Sequence, residues 1–252
     1  MRRLPRRLRY GEEATLVEHL EELRQRIFVC LGALLIGTIV AFVLHHQLLR
    51  ALNHFLPHRI GKPVTLTVGE PFLTSVWISL YAGFLLALPV IIWQTWAFFA
   101  PAVDDRYVRT SSVFVTFAAL LLGAGVAFGY YVTAPAAIRF LTSYDSKYYD
   151  QLVQARQYYT FVVLVLFAMG IVFELPIFVM GLVRLGIVST AKLRRTRRYG
   201  YFIVACIGVA LPGVDPVTTI FETIPLWILY EASIWLSILV ERRQPAPQEA
   251  LL

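Results

Sequence analysis

Three glutamates stand inside apolar stretches of this sequence. A carboxylate is costly to place there, so each of the three is a candidate for function. Glu174 is flanked by apolar residues within Tyr158–Val183, and Glu222 and Glu231 interrupt a later run. A carboxylate within lipid costs about 2.5 kcal/mol or more on insertion scales, so it usually faces a cavity or a partner. We predict that Glu174 is an intramembrane polar site, either binding a ligand, relaying a proton or bonding a neighbouring helix. Glu222 and Glu231 are more often bonded within the bundle.

Further acids stand beside basic residues. Glu21 and Glu22 precede Arg24, and Asp104 and Asp105 follow the string that ends at Pro101. Carboxylates hold the guanidinium group best of all cations, through two parallel charge-assisted hydrogen bonds. These acids are therefore candidates for capturing an arginine-bearing ligand. A solvated helix at the membrane surface is the alternative interpretation of Glu21 and Glu22.

Other chemistry has little support in the sequence. There is no phosphate-binding loop, no dinucleotide fingerprint and no nucleophile elbow. The histidines lack a cysteine or acid at zinc-ligand spacing, so we predict no metal and no cofactor. No paired aspartate or Ser–His arrangement lies within the apolar runs, which argues against an intramembrane enzyme. The net charge of +7 indicates anionic lipid rather than nucleic acid as the partner.

The elements that position these acids are membrane spans. Hydrophobic residues make up 58% of the 252 residues, charged residues only 15%, and the mean hydropathy is +0.65. A span needs about 20 mostly apolar residues. We predict an all-α polytopic membrane protein with six spans, the last two short: Ile27–Leu44, Phe72–Phe99, Val113–Phe140, Tyr158–Val183, Tyr199–Leu211 and Val217–Val240.

The distribution of basic residues predicts the orientation. Of the 23 Lys and Arg residues, 17 fall on the side that holds both termini, and the side richer in Lys and Arg is cytoplasmic. Both termini are therefore predicted in the cytoplasm. Residues 1–26 form a basic tail and an interfacial amphipathic helix, residues 27–240 the membrane domain, and residues 241–252 a cytoplasmic tail. The basic start is followed by acids, which is not the pattern of a cleavable signal peptide.

Short strings along nearly the whole chain resemble one family, the C subunit of the twin-arginine protein translocase (TatC). They keep the family's order along the six predicted spans, and together they cover about Thr15 to Arg242. The strings are His19-Leu-Glu-Glu-Leu-Arg24, Glu70-Pro-Phe72, Pro89-Val-Ile-Ile-Trp-Gln-Thr-Trp-Ala-Phe-Phe-Ala-Pro101, Phe173-Glu-Leu-Pro176, Pro212-Gly-Val-Asp215 and Ile224-Pro225.

The resemblance implies a receptor for twin-arginine signal peptides, in a bacterial or archaeal cytoplasmic membrane. It implies assembly with single-span TatA- and TatB-type subunits, a homo-oligomer within the complex, and export of folded proteins driven by the proton-motive force without an enzymatic activity. By position, the signal-peptide site is implied to comprise Glu21, Glu22, Arg24, Ile27, Phe98, Pro101, Asp104 and Asp105. Partner helices are implied to dock near Asp215, Thr219, Glu222 and Glu231.

The sequence departs from the family at one position. Tyr107 stands where the family usually has a loop glutamate, so either Asp104 and Asp105 supply the second carboxylate or recognition rests more on Glu21 and Glu22. The resemblance also implies that Glu174 lines a concave, partly wet face. A secondary transporter with Glu174 as proton carrier is the alternative, but such proteins usually show internal repeats and further midplane polar partners, and the sequence has neither.

Overall fold

The computed structural model describes residues 16–99, 111–213 and 215–241, and within these ranges the chain is helical apart from turns, loops and one isolated bridge between Val64 and Gln154. A π-helical segment, Gly129–Thr133, joins α4 to α5. The α-helices are α1 (Leu16–Val43), α2 (His45–Asn53), α3 (Glu70–Phe99), α4 (Ser111–Phe128), α5 (Ala134–Ser143), α6 (Ala155–Phe173), α7 (Leu175–Arg184), α8 (Thr190–Arg195), α9 (Arg197–Ala210) and α10 (Pro216–Glu241).

Among the described residues, four stretches are long and apolar enough to cross a membrane: His19–Val43, Glu70–Phe98, Val115–Ser143 and Ala155–Arg184. They coincide with the first four predicted spans, and the chain is thus a multi-pass membrane protein. α9 and α10 stand where the fifth and sixth spans are predicted. α9 has only 14 residues, about 21 Å. α10 has 26, so the sixth segment is short only in the apolar run between its glutamates.

The first helix, α1, makes most of its tertiary contacts with α3. Gly37 and Gly83 allow this contact, because a Cβ on Gly37 would lie 2.6 Å from the carbonyl oxygen of Gly83. Small residues permit such close backbone approach in membrane bundles. Most of the outer face of α1 is exposed, as lipid contact requires. The order along α1 defines two ends of the bundle: the proximal end, where α1 begins and α3 ends, and the distal end, where α1 ends and α6 begins.

Glycines and prolines within the predicted spans, among them Gly129 and Pro176, indicate kinks or close helix contacts, and the third and fourth spans are interrupted. The π turn at Gly129–Thr133 separates α4 from α5. α6 stops at Phe173 and α7 starts at Leu175, with Glu174 between them. Pro176 explains the second break, because proline has no N–H to donate to the preceding turn and its ring clashes with that turn. Gly125 lets α4 approach this region, since a Cβ there would lie 2.5 Å from the carbonyl oxygen of Met169.

α10 packs against α7 and α9 and closes the other side of the bundle. Leu226, Tyr230 and Ile234 of α10 form a buried cluster with Val172 and Val204. Close packing of α9 depends on Gly200 and Gly208, which face Tyr230 and Thr223 of α10.

Tyrosines close the distal end. Tyr158 Oη donates to the carbonyl oxygen of Leu52 at 2.7 Å, and Tyr130 Oη donates to that of Ala51 at 3.2 Å. Tyr159 Oη donates to Asn53 Oδ1 at 2.8 Å. The first two hydroxyls add a hydrogen bond to carbonyl groups of the last turn of α2, which otherwise accept long bonds of 3.4 and 3.5 Å from the backbone N–H groups of His54 and Phe55. Together the three bonds fix α2 to α6 and to the π segment.

Candidate functional site

The proximal end joins the acidic start of α1 to the end of α3. Arg26 reaches across: its Nε donates to Glu22 Oε1 at 3.0 Å, and Nη2 donates to the same oxygen. Nη1 donates to Gln94 Oε1 at 3.1 Å, and Nη2 also donates to the carbonyl oxygen of Ala97 at 3.0 Å. We call this cluster, with His19 and Phe98, the α1–α3 junction. It brings together two strings that are about 70 residues apart in the sequence.

Stacking completes the α1–α3 junction. The rings of His19 and Phe98 lie 4.4 Å apart at an interplanar angle of 20°. Glu21 and Arg24 are on the outer side of α1, more than half exposed, with Arg24 Nη1 3.8 Å from Glu21 Oε2. Arg24 also lies over the ring of Phe28. Ile27 is about half exposed on the same helix.

The junction can accept a cation. An exposed ion pair contributes about 0–1 kcal/mol, so little holds Glu21 in its present pairing. Glu22 uses Oε1 for Arg26, and its Oε2 makes no hydrogen bond to the described residues. Two acceptor groups therefore stand within one helical turn, beside an aromatic ring. Pro101, Asp104 and Asp105 lie outside the described residues, directly after the end of α3.

Glu174 stands at the break between α6 and α7. It is only 9% exposed, and neither carboxylate oxygen has a hydrogen-bond partner among the described residues. Its backbone N–H donates to Ile171, and its carbonyl oxygen accepts from Ile177 and Phe178. A buried polar group without a partner costs about 1–3 kcal/mol. Among the described residues, the Glu174 carboxylate therefore makes no hydrogen bond that stabilises the fold.

An apolar pocket of about 380 Å³ adjoins this break. Phe173, the residue before Glu174, lines the pocket and packs against Phe128, with the ring centroids 5.8 Å apart and the ring planes tilted by 35°. Val132 of the π segment and Pro225 of α10 form other walls. Glu174 itself is not among the lining residues, so its carboxylate is not part of the pocket surface.

Asp215 organises the start of α10. Its Oδ1 accepts from the backbone N–H of Thr218 at 2.8 Å, and its Oδ2 accepts from the hydroxyl of Thr218. This is the pattern of an N-cap, followed by proline at the first helical position. Thr219 Oγ1 donates to the carbonyl oxygen of Asp215 at 3.0 Å. Asp215 is buried, and the hydrogen bonds described above join it to the first turn of α10.

Glu222 and Glu231 differ in their surroundings although both belong to α10. Glu222 is fully buried, and neither of its carboxylate oxygens has a hydrogen-bond partner among the described residues. Glu231 is bonded to α9: Arg197 Nη1 is 3.0 Å from its Oε1, and Tyr201 Oη donates to its Oε2 at 2.7 Å. Trp235 Nε1 also donates to Oε1 at 3.0 Å. Glu231 therefore holds α9 and α10 together.

Sequence reasoning did not assign a role to Glu70. This buried carboxylate accepts from the backbone N–H groups of Leu66 and Arg156 at 2.8 and 3.0 Å, and from the side chain of Gln154 at 3.1 Å. It joins the 54–69 segment to the start of α6. The sequence offers two signals: Glu70 begins the family string Glu70-Pro-Phe72, and it stands at the first position of α3, where acids are favoured.

Glu70→Gln is expected to loosen the distal end. The amide places an NH₂ group against N–H donors, and a broken buried network costs about 1–3 kcal/mol. We expect lower thermal stability in detergent and faster proteolysis within residues 54–69. Asp150→Asn, an exposed acid at the same end, is the matched control. Unchanged proteolysis of the Glu70 variant would show that the network does not hold this segment.

Comparison with known proteins places the chain in a family. Residues 18–225 match the family described as "Sec-independent protein translocase protein (TatC)". The protein of that name from Magnetococcus marinus is 33% identical over 95% of this chain and 89% of its own length. The Deinococcus radiodurans protein is 35% identical over 94% and 90%.

A solved structure agrees with these relatives. The crystal structure of a "Twin Arginine Translocase Receptor- TatC" superposes with a TM-score of 0.77 at 31% identity, covering 87% of this chain and 99% of the other. The chain belongs to the TatC family, and it is therefore a component of the Sec-independent, twin-arginine protein translocase and not an enzyme.

Proposed function

We propose that this chain is the subunit that receives twin-arginine signal peptides. The α1–α3 junction carries the proposal, because it places Glu21 and Glu22 beside the end of α3, from which the chain continues to Asp104 and Asp105. A related protein of known structure is called a twin-arginine translocase receptor. Carboxylates grouped at one end of an otherwise basic protein are what a peptide with two adjacent arginines needs.

The binding step follows from the hydrogen bonds of the junction. Arg26 holds Glu22 at the end of α3 and leaves Oε2 for an incoming guanidinium. Glu21 has only a weak exposed pairing to give up. We propose Phe98, whose ring stacks on that of His19, as part of the wall of this site. We propose Arg24 and Ile27 on α1, and Pro101 with the following loop, as the flanks of the same site.

The contrast between arginine and lysine tests this proposal. A guanidinium forms two parallel bonds to a carboxylate, whereas an ammonium is a single point charge. A signal peptide with both arginines replaced by lysine should bind the purified protein at least tenfold more weakly, about 1.4 kcal/mol. Fluorescence anisotropy of labelled peptides measures this. Equal affinity of the two peptides would contradict a twin-arginine site.

We propose α9 and α10 as the docking face for single-span TatA- and TatB-type subunits. Ile220, Ile224 and Ile228 follow one another at helical spacing on α10 and are about half exposed or more. Phe202 and Ile203 of α9 are also exposed apolar residues. Thr219 borders this face, Asp215 fixes the start of α10, and Glu231 fixes the contact of α10 with α9. We propose the buried Glu222 as a further polar residue of this docking region.

The remaining features of the proposal concern the membrane. We propose six spans with both termini in the cytoplasm of a bacterial or archaeal cell, several copies per complex, and export of folded cargo driven by the proton-motive force. The exposed cations Lys192, Arg194 and Arg195 of α8 then face the cytoplasmic leaflet. Anionic lipid attracts such juxtamembrane basic residues by about 1 kcal/mol each.

A further inference from the structure

A second pocket, of about 560 Å³, lies at the distal end and has no part in the proposed peptide site. The residues that line this pocket change from polar to apolar along α6. Gln154, Arg156 and Gln157 form a polar end, and Phe161 and Leu164 form an apolar end further into the bundle. The turn at residues 211–213, between α9 and α10, forms the opposite wall. The volume falls within the range of about 300–1,000 Å³ that small-molecule sites occupy.

The polar end stands at the membrane boundary. The span Ala155–Arg184 begins here, so Arg156 is at the depth of lipid headgroups whichever way the protein faces. The backbone N–H of Arg156 donates to Glu70, but its guanidinium has no hydrogen bond or ion pair to the described residues. The apolar end is one to two helical turns deeper, where acyl chains begin.

A buried carboxylate lies behind the opposite wall. A Cβ built on Gly213 would be 3.3 Å from Glu222 Oε2 and 3.1 Å from Thr218 Cγ2, so the carboxylate lies close to the pocket-lining glycine, beside the Thr218 side chain. The exposure of Glu222 is 0%, and neither carboxylate oxygen is hydrogen-bonded among the described residues. Buried charged groups are normally paired. Within the described part of the chain, an unpaired cation and an unpaired acid thus border one amphiphilic pocket.

We propose that this pocket binds a membrane phospholipid whose headgroup carries a primary ammonium, as in phosphatidylethanolamine. The phosphodiester accepts hydrogen bonds from Arg156, and the glycerol ester region lies by Gln157. One acyl chain extends over Phe161 and Leu164. The ammonium is directed to the Glu222 side at Gly213, where a small shift of the turn brings the carboxylate into contact.

The chemistry of the pocket favours a lipid over a soluble anion. A free phosphate would use Arg156 and leave the apolar end filled with water. A phospholipid uses both ends, and burial of each methylene contributes about 0.8 kcal/mol. The ammonium distinguishes this headgroup from glycerol headgroups, which offer no cation to Glu222, and from choline headgroups, which offer no N–H donor.

Native mass spectrometry of the delipidated full chain, titrated with dioleoyl phosphatidylethanolamine, phosphatidylglycerol and phosphatidylcholine, tests the proposal. We expect the ethanolamine lipid to bind most tightly. Arg156→Gln should weaken it about tenfold, as expected for loss of one charge-assisted contact. Glu222→Gln should remove the preference among headgroups. Leu164→Trp, which fills the apolar end, should block all three lipids.

Matched controls separate the pocket from general effects. Arg139→Gln removes an exposed arginine at the same end but outside the pocket, and Leu120→Trp adds a ring to the lipid-facing side of α4. Both should bind like the wild type, with thermal unfolding confirming that every variant is folded.

Three results would overturn parts of the proposal. Wild-type binding by the folded Arg156 and Leu164 variants would overturn the site. Tightest binding of another headgroup, or a preference that survives Glu222→Gln, would overturn the ammonium assignment. Binding of soluble glycerophosphoethanolamine as tight as the lipid would overturn the acyl contribution. None of these outcomes bears on the twin-arginine peptide.

Discussion

Glu22→Gln is expected to lower the affinity for a twin-arginine peptide by about tenfold to a hundredfold. A hydrogen bond to a charged group contributes about 1.5–3 kcal/mol, and the amide can no longer form a charge-assisted pair with an incoming arginine. The amide oxygen can still accept from Arg26, so the junction with Gln94 and Ala97 is kept. Peptide anisotropy measures the affinity, and thermal unfolding shows that the fold is unchanged.

Asp150→Asn is the control for this variant, because it removes one exposed acid from the distal end. Its affinity should equal that of the wild type, since long-range attraction between exposed charges is screened within about 10 Å at 0.1 M salt. If Glu22→Gln binds the peptide as tightly as Asp150→Asn does, the carboxylate of Glu22 is not a ligand.

Glu174→Leu is expected to raise stability and to abolish export. The carboxylate is buried without a hydrogen-bond partner among the described residues, so an apolar side chain of similar size should stabilise the protein by about 1–3 kcal/mol. We propose that this carboxylate contacts the signal peptide or a partner helix during export, so we expect export of a folded reporter to fall more than tenfold. A substitution that raises stability and lowers activity is typical of a residue that serves function rather than stability.

The same substitution at Glu231 provides the contrast. Glu231 is bonded to Arg197, Tyr201 and Trp235, and its loss leaves these donors without their acceptor. Glu231→Leu should therefore lower the thermal unfolding temperature. A Glu174→Leu protein that is destabilised and exports at the wild-type rate would make Glu174 structural.

The apolar runs predict where the membrane helices lie, because the hydrophobic pattern is a local property of the sequence. The second predicted span, Phe72–Phe99, differs from α3 by two residues at its start. The glycines and prolines within the spans predict kinks or close helix contacts, but not the form that each interruption takes. Glycine and proline indicate that a helix can bend, but neighbouring helices decide whether the result is a π turn, as at Gly129–Thr133, or a break, as at Glu174. The helix predicted along the membrane surface is continuous with the first span from Leu16, and its placement in the membrane stays a prediction.

The sequence predicts which residues belong to the candidate site, but not which of them contact one another. Glu22 was identified from its family string, but the bonds of Arg26 to Gln94 and Ala97, which hold Glu22 at the end of α3, join residues about 70 positions apart. The hydrophobic periodicity of a sequence reports local structure, so it does not predict contacts between residues this far apart. The carboxylates of α10 illustrate the same limit, because spacing treats Glu222 and Glu231 alike. Only packing shows that one is enclosed without partners among the described residues while the other binds α9.

Site-specific photocrosslinking of a twin-arginine peptide tests the central claim most directly. The photoreactive residue is placed at Leu20 or Gln25 on α1, at Phe98 on α3, and at Tyr148 at the distal end, all of them at least partly exposed. We predict crosslinks at Leu20, Gln25 and Phe98 that disappear with the twin-lysine peptide, and none at Tyr148. Crosslinks concentrated at Tyr148, or equal yields with the two peptides, would contradict a twin-arginine site at the α1–α3 junction.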